Sequence, residues 1–205
     1  MATVLVTGFG PFPGAPVNPT EQIVRRFART SRLHGHTTAA HIFQTSYTAV
    51  ERDLPRLIAK HRPRAIILFG LAASTPHLRI ETLAHNEITQ QQVDVTGNMP
   101  VQNAIRPART MTLRGRAPFM RLVNAARIAG VKAQRSQDAG RYVCNYAYWR
   151  AIEASRKPGG PNQVVFVHVP ELRSGRTPGG LVGLHFLVRA AQAIVIAAIN
   201  DLPPR

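Results

Sequence analysis

Three stretches of this chain are apolar at almost every position: ATVLVTG (residues 2–8), AIILFG (65–70) and VVFVHVP (164–170). A strand that alternates can leave one face to water, but an uninterrupted apolar, β-branched run has to be covered on both faces. That requirement fits a mostly parallel sheet with helices on either side, and between the runs lie segments with helical spacing. Asn18-Pro19-Thr20 supplies a polar cap and a first-turn proline, so a helix is predicted from there through about Arg32. TTAAHIF (37–43) reads as a strand and Tyr47 to Lys60 as a helix. LRIETLAH (78–85) reads as a strand on an edge or in an antiparallel arm. Glu87 to Arg114 is polar and turn-rich, and is expected to form a long loop or small hairpin over a site. A helix over Pro118–Ala129 ending at Gly130, a short strand in VKAQRS (131–136), a helix from Cys144 to Arg156, a Pro/Gly loop from Lys157 to Gln163 and a last helix from Leu181 to Ile199 complete the pattern. The alternation points to an α/β sandwich, with residues 1–205 as a single domain.

Composition narrows the partners. With 205 residues, 44% of them hydrophobic, the chain can build one sizeable core. The net charge of +16 raises the question of nucleic acid, yet the arginines are scattered from Arg25 to Arg205. No long basic tract and no RRM-like, KH or zinc-finger signature accompanies them, so nucleic-acid binding is the minority reading. The run LVGLHFLVRAAQAIVIAAI is interrupted by His185, Arg189 and Gln192, which suits a core helix and not a membrane span. The apolar run in MATVLVTGFG is too short for a signal sequence, and a lone cysteine suits a reducing compartment; a cytoplasmic protein is expected.

That cysteine, Cys144, stands in DAGRYVCN between a turn signal and a helical run. His168 ends the last strand run, and Glu81 ends a strand-like segment. At a helix start, unpaired N–H groups and the positive dipole end would favour the thiolate and depress its pKa. The N–H groups of Val143 and Cys144 could then hold an oxyanion. His168 would serve as general base and then acid, with Glu81 fixing its tautomer. Taken singly, each residue has a plainer reading: a small buried hydrophobe, a satisfied core histidine, an exposed strand carboxylate. No metal-ligand spacing is present, and none is expected.

Taken together, VLVTGFGPFPGAPVNPTE, YTAVERDLPRLIAKHRPRAIILFG, the Glu81 segment, DAGRYVCN and VFVHVP occur in the order and at the separations of one family. The chain resembles pyroglutamyl peptidase I (pyrrolidone-carboxylate peptidase), a family of cytoplasmic cysteine peptidases. The resemblance implies a three-layer α/β/α sandwich around a twisted, mostly parallel sheet. It also implies removal of an N-terminal pyroglutamyl residue from blocked peptides through a thioester, no cofactor, and a homo-oligomer, tetramer or dimer. Glu81, Cys144 and His168 match the family's catalytic residues, Phe9 and Phe12 its ring-flanking aromatics, and Tyr142 and Val143 its ring-pocket residues. The chain departs from the pattern at Leu71, where the family commonly has Gln, at Thr82, where it has Lys or Arg, and roughly at Gln91, where an Arg near the oxyanion is frequent. These departures keep two other readings open: a hydrolase of the same fold with another small N-acyl specificity, and a catalytically degenerate basic binding protein.

Overall fold

A computed structural model describes residues 2–107, 110–172 and 183–203. Along the chain run β1 (Thr3–Phe9), α1 (Pro19–Ala28), β2 (Arg32–Leu33), β3 (His36–Phe43), α2 (Tyr47–His61), β4 (Ala65–Leu71) and β5 (Leu78–Glu81). Then follow β6 (Leu83–His85), β7 (Thr112–Arg114), α3 (Phe119–Ile128), β8 (Ala133–Ser136), α4 (Val143–Ser155), β9 (Gln163–Val169) and α5 (Leu184–Asn200). Seven strands form one sheet in the order β2-β3-β1-β4-β9-β5-β8, and β6 pairs with β7 in a separate two-stranded arm. The four central strands β3, β1, β4 and β9 are mutually parallel.

Both faces of that parallel core are covered, as the apolar runs require. On one side Val4, Val6, Ile67, Val165 and Val167 pack with α1, α3 and α5. On the other, Leu5, Ile66, Leu68, Val164 and Phe166 pack with α2 and α4. The result is an α/β/α sandwich. The side-chain period of 2 splits each strand between the two cores, so neighbouring residues of β9 belong to different layers.

The terminal details depart from the sequence reading in four places. Helix α1 is capped by the Asn18 side chain but stops at Ala28, with Arg29 as its C-cap. Arg32–Leu33 instead pairs antiparallel with His36–Thr37. His34 and Gly35 between them both adopt positive φ (47° and 76°). That is the two-residue hairpin turn whose twist matches its strands, and the His-Gly pair is its signal. Second, LRIETLAH is two strands and not one: β6, its second half, lies in an antiparallel arm as one of the two readings has it, while its first half is not on an edge. β5 is interior, antiparallel to β9 and parallel to β8, and the chain leaves the sheet at Thr82, whose N–H and hydroxyl both donate to the Ser136 carbonyl. Third, part of the Glu87–Arg114 segment is strand β7. Fourth, α4 begins at Val143, one residue before Cys144. The final helix begins at Leu184 in the structure; Leu181 and Val182 lie outside the described residues.

Candidate active site

The strand period decides which side chains share a face. In β9, Val164, Phe166 and His168 point toward the α2/α4 layer. In β5, Leu78 and Ile80 belong to the opposite core, so Arg79 and Glu81 face the same way as His168. The antiparallel register sets Arg79 opposite His168 and Glu81 opposite Phe166. Glu81 therefore approaches His168 on the diagonal, a reach that a long side chain spans. His168 Nδ1 lies 2.8 Å from Glu81 Oε1, and both residues are buried. A carboxylate only accepts, so the imidazole donates from Nδ1 and leaves Nε2 free to act as a base.

Glu81 is held from two further directions. Its backbone carbonyl accepts from the Tyr148 hydroxyl at 2.9 Å. That hydroxyl occupies the place of a side chain at Gly115, where a Cβ would lie 1.9 Å from it. Arg79 Nε stands 3.0 Å from the same Oε1 that meets His168. Glu81 Oε2 is buried and has no hydrogen-bond partner among the described residues. Arg79 was not among the residues expected from the sequence; its only signal there is its i−2 spacing from Glu81 on a strand.

Cys144 is the second residue of α4. The helix has no side-chain cap at Tyr142, and its first intrahelical bond runs from Tyr146 N–H to the Tyr142 carbonyl. The N–H groups of Val143, Cys144 and Asn145 thus begin the helix without intrahelical partners, an arrangement suited to an anion. The thiol lies against the sheet over Gly70, which is paired in register with His168. A Cβ on Gly70 would come within 2.9 Å of Cys144 Sγ and 2.6 Å of the Phe166 ring. The missing side chain is what lets the helix end that carries Cys144 sit this close to the strands.

The expectation of a depressed thiol pKa is corrected by the structure. Burial pushes the Cys144 thiol up to about 12, the charge of Glu81 adds to this, and only its own backbone N–H pulls downward. Desolvation outweighs the helix dipole, whose reach fades within a turn.

A cavity of about 220 Å³ opens beside these groups. Phe9, Phe12, Leu71, Tyr142, Cys144 and His168 all line it. Glu81 sits behind His168, and the Val143 side chain is fully buried in the α2/α4 core. Gln91, expected near the oxyanion, is exposed and lies outside this lining; its segment is tied down elsewhere, by Thr89 N–H to the Arg141 carbonyl and by Asp94 to α2. Phe9 is anchored through its backbone, since the Thr20 hydroxyl both accepts from its N–H (3.0 Å) and donates to its carbonyl (3.1 Å). Asn18 donates to the Gly10 carbonyl at 3.0 Å while capping α1. The proline- and glycine-rich loop after β1 is thereby fixed over the cavity. Across it, the Phe12 and Tyr142 rings stand 6.3 Å apart, and the Tyr142 hydroxyl donates to the Val93 carbonyl at 2.9 Å.

The chain is similar to known proteins over most of its length. The sequence profile of the pyroglutamyl peptidase family matches residues 2–198. A pyrrolidone-carboxylate peptidase of Thermococcus litoralis is 30% identical over 188 residues, covering 92% of this chain and 83% of that protein. Pyrrolidone-carboxylate peptidase 1 of Ralstonia nicotianae is 32% identical over 198 residues, covering 96% and 92%. The solved structure of the pyrrolidone carboxyl peptidase from Thermococcus litoralis superposes with a TM-score of 0.89 at 27% identity, covering 98% of this chain and 95% of that one.

Proposed function

The chain belongs to the pyroglutamyl peptidase family, a family of cysteine peptidases, and we propose that it removes an N-terminal pyroglutamyl residue from peptides through Cys144, His168 and Glu81. The observation that carries this reading is the 2.8 Å contact between His168 Nδ1 and Glu81 Oε1, made by a histidine that shares the cavity with the chain's one thiol. With Nδ1 engaged, Nε2 is the site that takes the thiol proton as sulfur attacks the carbonyl of the pyroglutamyl group. The raised thiol pKa favours transfer during the attack over a standing ion pair. Glu81 then balances the imidazolium. Negative charge on the carbonyl oxygen falls to the N–H groups that begin α4. Collapse expels the amine, which takes the proton from His168, and leaves a thioester. Water, deprotonated by the same imidazole, hydrolyses the thioester and returns the thiol.

Selectivity follows from the lining. Phe9, Phe12, Leu71 and Tyr142 offer a mostly apolar slot to a flat, uncharged lactam. A free α-ammonium entering that slot would leave water for a lining whose carboxylate, Asp138, is already paired with Arg141, at a cost of several kcal/mol. Leu71 supplies no hydrogen-bonding side chain, which favours a second reading: the same chemistry on another small N-acyl group. Action in the cytoplasm and assembly as a dimer or tetramer belong to the same proposal; among the described residues no helix is long and apolar enough to cross a membrane.

Hydrolysis of a fluorogenic pyroglutamyl amide tests the reading. Wild-type turnover that disappears in Cys144→Ala, with an unchanged melting temperature, is the expected result. Equal turnover by the two proteins would sink it. Turnover of acetyl or other N-acyl amides in place of the pyroglutamyl one would select the second reading.

A further inference from the structure

Arg79 makes contacts that reach beyond its ion pair with Glu81. Its Nη2 donates to the Ser136 hydroxyl at 2.9 Å and also to the Asp138 carbonyl. Those acceptors mark the end of β8 and the loop that leads into α4. That loop is tied in turn, since Asp138 Oδ1 accepts from Gly140 N–H at 3.0 Å and from Arg141 Nη1 at 2.6 Å. Four residues after Gly140 comes Cys144. One guanidinium therefore joins the carboxylate behind the histidine to the segment that delivers the thiol.

The charge matters as much as the tether. Glu81 is fully buried, and one of its oxygens has no partner among the described residues. A neutral imidazole gives it a hydrogen bond but no compensating charge, and a buried, unpaired carboxylate is costly. Arg79 supplies a permanent positive charge at 3.0 Å with its side chain only 21% exposed.

We propose that Arg79 is a positioning residue of the reaction: it clamps Glu81 against His168 and locks the Asp138 loop, so that imidazole and thiol are presented in one fixed geometry. The inference rests on the hydrolase reading above for its reaction, but not on the identity of the acyl group. Only a planar, forked donor can hold a carboxylate and a carbonyl of another segment together; a lysine ammonium on a flexible stem cannot span both.

The test uses the single cysteine of the chain, because alkylation by iodoacetamide then reports on Cys144 alone. Wild type, Arg79→Met, Arg79→Lys, Glu81→Gln and the Arg79→Met/Glu81→Gln double variant are compared for pyroglutamyl amide turnover, alkylation rate and melting temperature. Arg79→Met is expected to lower kcat roughly 10–100-fold, the scale of losing near-attack geometry, with KM within about threefold. Alkylation should slow in step. The double variant should be no worse than Glu81→Gln, and Arg79→Lys should recover part of the loss. Wild-type kcat and alkylation in Arg79→Met would overturn the proposal. So would losses that multiply in the double variant, or a rise in KM alone, which would mark direct substrate contact. If Arg79→Met does not fold, Arg79→Lys against Glu81→Gln runs the same cycle. A wild type that shows the coupled alkylation but leaves pyroglutamyl amides intact would overturn the substrate assignment and uphold Arg79.

Discussion

At Gly70 an absent side chain does as much as any functional group. The thiol of Cys144 and the ring of Phe166 occupy the space that a Cβ there would enter, at 2.9 and 2.6 Å. Gly70→Ala should cost about 1–3 kcal/mol of stability by overpacking and reduce turnover further than that loss explains, because the helix end must move away from His168. Melting temperature and kcat of the same preparation decide it; wild-type kcat in the variant would refute the close approach. The thiol itself carries a second prediction. Burial and the charge of Glu81 raise its pKa to about 12. Alkylation by iodoacetamide should keep climbing from pH 7 to pH 10. A plateau reached near pH 7 would instead mean a preformed thiolate.

Among the elements, α4 and the β6–β7 arm depend on one another through Asn145. Its side-chain oxygen accepts from His85 N–H at 2.8 Å, and its amide donates to the carbonyls of His85 (2.8 Å) and Glu87 (3.1 Å). Asn145 is fully buried and adjoins Cys144. It therefore fixes both the path of the chain after Glu81 and the rotation of the helix that carries Cys144. Asn145→Ala leaves buried backbone groups unpaired and should cost about 2–3 kcal/mol. Denaturant unfolding measures that cost directly, and a loss under half a kcal/mol would show that water replaces the amide. The antiparallel insertion of β5 belongs to this scale too. Running against β9, it turns Arg79 and Glu81 toward His168, whereas a shift of one residue in register would bury them in the opposite core.

For the whole molecule, the acid limit of stability follows from carboxylates held below their ordinary range. Burial alone would raise the pKa of Asp94, but hydrogen bonds from Thr96, Asn98 and the Tyr47 N–H that starts α2 outweigh it. Burial likewise opposes, and charged partners exceed it, at Glu153 with Arg106 and Arg150, and at Asp138 with the Gly140 N–H and Arg141. Folded values below the unfolded ones mean that the stability these groups add is complete above about pH 4–4.5 and is lost as pH falls through the lower, folded values. Urea midpoints should therefore hold steady from pH 7 to pH 5 and drop toward pH 3. Asp94→Asn should start lower at pH 7 and lose less on acidification. A midpoint independent of pH down to 3 would contradict the assignment. The net charge of +16 adds self-repulsion as the carboxylates are neutralised.

Much of this architecture was legible along the chain, because its causes are local. Continuous apolar runs demand a covered sheet, Asn18 caps the helix whose N-terminus it begins, and a turn-to-helix junction at Cys144 is a short-range pattern. The clustering of Glu81, Cys144 and His168 was read from likeness to a family, since nothing in their spacing brings residues 63 and 24 positions apart to one end of the sheet. Tertiary structure alone decided three things. It set β5 inside the sheet and antiparallel, a matter of strand pairing that local periodicity does not encode. It made burial, and not the helix dipole, the larger influence on the thiol. And it brought Arg79 onto Glu81 and the Asp138 loop at once, a junction of three segments distant in sequence that exists only when the sheet has formed.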